Sequence, residues 1–187
     1  MLVSLFDLLL VLLAISTWHF MEFWSFIMRL NDFISWKMLN PDWAYRLLNL
    51  WPPYLGAGVK TRIIDDGNAF ETSMKLGVLN TNYVGVHFGG SLYSMCDPFF
   101  MLIMMKRLGD EYLVWDKWAK IEFKRPGKGK VRAYFEITDE QMQRVHRELE
   151  ENGKSEPVFV TEIRNEQGKV VAVVQKGLWI VKKRATI

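Results

Sequence analysis

The spacing of hydrophobic and polar residues changes several times along this chain, and each change predicts an element. From Trp115 to Lys124 the period is two. Trp115, Lys117, Ala119, Ile121 and Phe123 share one face of a strand, and Asp116, Trp118, Lys120, Glu122 and Lys124 share the other. After the turn Pro126-Gly127-Lys128-Gly129, Val131, Ala133, Phe135 and Ile137 alternate with Arg132, Tyr134, Glu136 and Thr138 in a second strand. Upstream, two strands run from about Val59 to Asp65 and from Ala69 to Leu76, with Asp66-Gly67 as a two-residue hairpin signal. Downstream, strands from about Val158 to Arg164 and Lys169 to Val181 are joined across Asn165 to Gly168.

Helical signals fall between these strands. Gly89 to Leu108 is the most apolar interior stretch, and too much of its circumference is apolar for a surface helix. It predicts one buried helix, finished by Lys106, Arg107 and Gly109. Thr138-Asp139-Glu140 opens a charged surface helix reaching about Glu151. Near the start, Asn40-Pro41-Asp42 is a helix-start signal for a helix that ends at Trp51-Pro52-Pro53; Gly56 and Gly58 then loosen the chain. Gly77 to Phe88 reads as an irregular loop. The order predicts an α+β fold, in which a curved antiparallel sheet buries one long helix on its concave face.

The first 36 residues stand apart as a hydrophobic helical extension, leaving 37–187 as the folded domain. Leu8 to Trp18 runs without a charge, but eleven helical residues span only about 16 Å, roughly half a bilayer core. Extension to Met28 takes in His19 and Glu22, and a mid-membrane charge costs about 2.5–3.5 kcal/mol. No basic residue precedes the apolar run, so a secretory signal fits poorly. Two readings stay open: a helix packed on the domain or a partner, and a membrane contact through residues 1–30. Arg29 and Lys37 follow the apolar run, which would keep the downstream domain cytoplasmic if the segment inserts.

Composition narrows the classes. A formal charge of +3 is too mild for a nucleic-acid surface. The single cysteine, Cys96, excludes an intrachain disulfide and a cysteine metal cluster, so a reducing compartment is the default. No spacing suits a zinc site or a phosphate-binding loop, and neither metal nor cofactor is expected.

The stretch Asn82-Tyr83-Val84-Gly85-Val86-His87-Phe88-Gly89-Gly90, followed by Ser91 to Cys96 and Asp97, carries the chemistry. Here the sequence resembles the hotdog thioesterases of the phenylacetyl-CoA and 4-hydroxybenzoyl-CoA thioesterase type. Anchored on the glycine pair, Asn82, Gly85, Gly89, Gly90 and Asp97 fall at the spacings of that family's motif. One position differs: the family histidine directly before the glycines is Phe88 here, and His87 sits one residue earlier. More broadly, Trp51 through Val181 looks like a bacterial branch of unknown function related to these enzymes. The resemblance implies a hotdog fold, a cofactor-free homodimer or homotetramer with sites at the subunit interface, and an acyl-CoA or related thioester as substrate. It implies catalytic roles for Asp97, Asn82 and Gly90, and substrate contacts from Gly89, His87, Phe88 and Ser91.

Each residue also has a plainer reading. Asp97 precedes Pro98 and fits the N-cap of a helix restarting there. The glycine pair suits close packing, Asn82 a turn, His87 a buried structural position, and Cys96 a packed thiol. Lys124, Arg125, Lys128, Lys130 and Arg132 around one hairpin fit either coenzyme A phosphates or a guarded strand edge. Two further functions therefore remain beside hydrolysis: a non-catalytic acyl or lipid binder, and an acyl-thioester dehydratase or hydratase pairing His87 with Asp97.

Overall fold

The computed structural model describes residues 47–183. The expected extension over 1–36, its membrane contact through 1–30, and the start of the helix opened at Asn40-Pro41 lie outside the described residues. Among the described residues, no helix is long and apolar enough to cross a membrane.

A 3-10 turn at Leu47–Leu50 leads into helix α1, Pro52–Ala57. The proline pair, expected only to stop a helix, opens one. In the first turn of a helix a missing N–H leaves nothing unpaired, and the fixed proline φ already suits the helix. Gly58, at φ 69°, closes α1 in the left-handed conformation. Strands β1, Val59–Ile64, and β2, Ala69–Lys75, then pair antiparallel with Ile64 opposite Ala69. Their connection is four residues rather than two, with Asp65, Asp66 and Gly67 all at positive φ.

The long helix expected over Gly89 to Leu108 is two helices, α2 at Gly89–Ser94 and α3 at Phe99–Leu108. Pro98 explains the break: it has no N–H to continue the ladder, and it disfavours helical geometry at Asp97. Asp97 is not the cap of α3; that position is Pro98, and no side chain caps it.

The other elements are β3 (Tyr112–Phe123), β4 (Lys130–Glu136), α4 (Asp139–Asn152), β5 (Lys154–Ser155), β6 (Val158–Asn165) and β7 (Val170–Lys182). They complete an antiparallel sheet in the order β1-β2-β4-β6-β7-β3, with the short β5 pairing β7. Helix α4 forms where expected because Thr138 and Gln141 make a reciprocal capping box. It buries Met142, Val145 and Leu149 along one stripe and ends at Gly153.

The core lies between the sheet and α3. Phe99 is at its centre, with ring centroids 4.7 Å from Phe135, 5.3 Å from Phe70 and 6.4 Å from Tyr54. Phe100 stacks on Phe159 at 5.1 Å. Rings from β2, β4 and β6 thus meet the helix from one side, which is the arrangement of a curved sheet closed around a helix.

Strand β3 forms an edge of the sheet and departs from simple alternation. Asp116 pairs with Leu178 and Trp118 with Gly177, so Lys117 is the extra residue of a β-bulge. Because partners across a ladder share a face, the bulge puts Asp116 on the same face as Ala119, Ile121 and Phe123. The sequence pattern alone assigns it to the opposite one.

Candidate functional site

The loop between β2 and α2 is held from inside by Asn80, which the sequence does not single out. Its side chain donates to the carbonyls of Ala57 (2.7 Å) and Lys75 (2.9 Å) and accepts from the Gly77 amide (2.8 Å). Asn82 organises the outer part of the same loop. Its Oδ1 accepts from the amides of Val84 (3.1 Å) and Val86 (3.2 Å), an Asx turn that leaves Gly85 at φ 76°. The side-chain amide nitrogen of Asn82 has no partner among the described residues.

His87 ties this loop to the β3–β4 turn. Its amide donates to the Gly127 carbonyl at 3.0 Å, and its Nε2 lies 3.0 Å from the Gly129 carbonyl. Nε2 therefore carries the proton and Nδ1 is an acceptor, which is buried without a partner. Burial lowers the imidazole pKa from its ordinary 6.5, opposed by the bond to Gly129. With Nε2 committed to a carbonyl, this ring is poorly placed to share a proton with a distant acid.

Helix α2 starts at Gly89. The amides of Gly89, Gly90 and Ser91 open the helix and have no intrahelical acceptor. Space beside them differs between positions. A Cβ at Gly90 would lie 2.4 Å from Cε1 of Phe88, and one at Gly89 would lie 2.8 Å from Cζ of Phe123. Both rings are more than half exposed, so they cover the glycine pair from the outside. Ser91 is buried.

A groove of about 710 Å³ opens between this loop and the β3–β4 turn. Asn82, His87 and Gly89 line it on one wall, Leu92 and Phe123 on its apolar floor, and Lys124, Arg125 and Lys128 at its basic rim. The rim is only partly free: Lys124 pairs with Glu122, and Arg125 donates to the Val170 carbonyl. Lys120 and Lys124, both exposed, hold the Glu122 carboxyl down to about 2. Of the residues expected from sequence, then, Asn82, His87 and Gly89 meet in one groove. Phe88, Gly90, Ser91 and Asp97 do not line it.

Asp97 belongs instead to a charged cluster under the α2–α3 break. Its Oδ1 accepts from the Tyr93 hydroxyl at 2.6 Å and from Lys176 Nζ at 2.7 Å. Lys176 also reaches Asp116 Oδ2 at 2.8 Å and the Tyr93 hydroxyl at 2.9 Å, with its ammonium 5.4 Å from the centre of the Tyr93 ring. The lysine side chain is 2% exposed, against 39% for Asp97 and 31% for Asp116. Burial alone would depress the Lys176 pKa, but the bonds to Asp116, Asp97 and Tyr93 outweigh it and hold the ammonium above its usual range. Asp116 is pushed up by its own burial, with Lys176 pulling the other way. Both side-chain hydrogen bonds of Asp97 go to Oδ1. Among the described residues Oδ2 has no partner.

Sequence reasoning missed Lys176, although its signal is present. In β7, Val174, Lys176, Leu178 and Ile180 recur at a period of two, and the three apolar members are buried. A lysine on that face must be paired. What the sequence does not reveal is the bulge that turns Asp116 toward it.

Fold and groove together define a hotdog-fold protein. The same architecture occurs in a probable thioesterase of unknown function from Pseudomonas aeruginosa, at a TM-score of 0.66 and 20% identity, covering 76% of this chain and 97% of that one. It occurs in a thioesterase from Haemophilus influenzae, at 0.56 and 16% identity, covering 77% and 93%. The PaaI protein of the E. coli phenylacetic acid degradation operon matches at 0.53 and 20% identity, covering 75% and 91%. The chain belongs to the family described as domain of unknown function (DUF4442), whose model matches residues 44–180. No curated protein matches the sequence.

Proposed function

We propose that this protein hydrolyses an acyl thioester, with acyl-CoA as the substrate class, at a site shared between two copies of the chain. The observation that carries the reading is the orientation of Asp97. One oxygen is anchored by an ammonium and a phenol, and the other has no partner among the described residues on a partly exposed side chain. A carboxylate held in this way is fixed through one oxygen and keeps the other available to take a proton from water.

In the proposed reaction, water adds its oxygen to the thioester carbonyl carbon while Asp97 Oδ2 takes the proton. The carbonyl π pair moves to oxygen, where the amide end of α2 at Gly89 and Gly90 donates to the developing charge. Collapse of the tetrahedral adduct breaks the C–S bond, and the departing sulfur takes up the proton from Asp97. The products are a carboxylic acid and a thiol. Approach to Gly90 requires the Phe88 ring to swing aside, and its exposure permits that. Lys124, Arg125 and Lys128 at the groove rim suit the phosphates of coenzyme A, and Leu92 and Phe123 suit apolar parts of the substrate.

Asp97 lies outside the groove of its own protomer, so the reading needs a second copy to bring carboxylate and groove together. The β3 edge offers the surface: a strand edge unpaired among the described residues, with Trp115, Trp118 and Phe123 exposed. The separation of Asp97 from the groove also favours one alternative, a binder that holds acyl thioesters without turnover.

The test is release of free thiol from a panel of acyl-CoAs by the wild-type protein and by Asp97→Asn. Hydrolysis by the wild type and loss of at least about 100-fold in Asp97→Asn is expected, the range for removing a general base. An unchanged rate in the variant removes Asp97 from the reaction. Tight acyl-CoA binding without turnover supports the binder.

A further inference from the structure

We propose that Lys176, together with Tyr93, is the positioning residue of the thioester site, and that Asp116 sets how much of the lysine's charge reaches Asp97. The inference deepens the hydrolytic reading and rests on it. Three observations carry it, each independent of the resemblance to known thioesterases.

First, a buried lysine is expensive unless its charge is matched. Lys176 sits on the core face of β7 with Val174, Leu178 and Ile180, where an apolar residue would cost nothing. Second, its partners converge from three separate elements: Tyr93 from α2, Asp97 from the α2–α3 break, and Asp116 from β3. Asp116 is delivered only because β3 carries a bulge at Lys117. A break in one element and a bulge in another both serve this contact. Third, Lys176 and Tyr93 grip the same oxygen of Asp97. Rotation about the Cβ–Cγ bond breaks both bonds until a half turn exchanges the two equivalent oxygens, so one oxygen always stays gripped and the other keeps its direction.

Sharing one ammonium between two carboxylates has a consequence for reactivity. A lone Lys–Asp pair would quench the carboxylate as a proton acceptor. Asp116 draws part of the same charge, which leaves Asp97 oriented by the lysine but less fully neutralised. The other titratable groups facing the cluster are Tyr54 from α1 and Cys96 beside Asp97. Burial pushes the phenol and the thiol up, so both stay neutral through the working range.

The experiment is the pH profile of kcat and of kcat/KM for acyl-CoA hydrolysis, measured on the full chain with wild type, Lys176→Met, Tyr93→Phe and Asp116→Asn. Loss of the ammonium moves the acid limb of the profile to higher pH, the direction expected when an opposite charge is removed from beside a carboxylate. Loss of the competing carboxylate in Asp116→Asn moves the limb to lower pH. Tyr93→Phe lowers kcat with KM little changed. A residue that only supports the fold would lower the rate at every pH and leave the limb in place. Asp116→Asn keeps the side-chain shape and its acceptor for Lys176, so it reads the coupling even if Lys176→Met fails to fold.

Opposite movements of the limb support the inference. Turnover by the wild type and its loss in Asp97→Asn, with an unmoved limb in Asp116→Asn, overturn the inference and leave hydrolysis standing. A wild type that hydrolyses no thioester overturns both.

Discussion

Replacing Lys176 by Met tests the physical basis of the cluster without any assumption about turnover. The methionine fills most of the buried stem and removes the ammonium, leaving Asp97 and Asp116 facing an apolar group. Three charge-assisted bonds disappear, at 2.7, 2.8 and 2.9 Å. Breaking a fully buried ion pair from one side costs about 3–5 kcal/mol. Both carboxylates here are about a third exposed and regain some water, which reduces the loss to about 2–4 kcal/mol. With a urea slope of about 2 kcal/mol per molar, the unfolding midpoint should fall by about 1–2 M at neutral pH. A second variant checks the cause. Lys176→Met combined with Asp116→Asn removes one of the two stranded carboxylates and should recover about 1 kcal/mol of the loss. Urea unfolding followed by tryptophan fluorescence reads both. A midpoint in Lys176→Met within about 0.3 M of wild type would refute the account of Lys176 as a charge matched by its partners, since that is less than about 1 kcal/mol at this slope.

Other consequences follow from single contacts. Asn80→Ala strands two carbonyls and one amide around the loop entrance, and should destabilise by about 2–4 kcal/mol in the same unfolding assay. Phe99→Ala empties the centre of the ring cluster and should cost about 3–5 kcal/mol. His87 makes stability acid-sensitive. Its folded pKa is lowered below the ordinary 6.5 by burial, so the unfolded chain binds the proton more readily. Its effect is absent above pH 6.5, and stability falls as pH drops below that value, by at most about 1.4 kcal/mol per pH unit until the folded imidazole also protonates. His87→Gln, compared with wild type across pH 5 to 8, should lack this component of the slope.

Several parts of the fold were legible in the sequence for reasons that are local. The helix start at Thr138-Asp139-Glu140, the turn at Asn165 to Gly168, and the period-two runs of β4 and β7 each depend on residues close together in the chain. Where the sequence misled, the deciding term was a competing local rule or a distant contact. Pro52 and Pro53 permit a helix start as readily as they forbid a continuation. Pro98 was visible, but the long apolar run around it suggested one helix where the proline's missing donor makes two. Strand β5, with only Lys154 and Ser155, carries no periodicity and exists because Ile180 and Val181 offer it a ladder.

The site shows the same division. Asn82, His87 and Gly89 were readable as a cluster because they lie within eight residues of one another and share a loop. The partners of Asp97 were not. Lys176 is 79 residues away and Asp116 reaches the cluster through a bulge, and neither separation nor bulge is written in the spacing of the motif. Tyr93 is only four residues from Asp97, but Asp97 lies beyond the end of α2, so the break shapes that contact too.

Complementation between two defective variants tests most directly whether hydrolysis needs Asp97 from one copy and the Gly89 groove from another. Gly89→Val places a branched side chain where the groove meets the helix start, and Asp97→Asn removes the proton acceptor; each alone should be inactive. Co-expressed and randomly paired in a two-fold dimer, about half the dimers are mixed, and each mixed dimer contains one site free of both changes. The account predicts recovery of about a quarter of the wild-type rate by that symmetry argument. Dimers that form in the mixture yet release no thiol would contradict it.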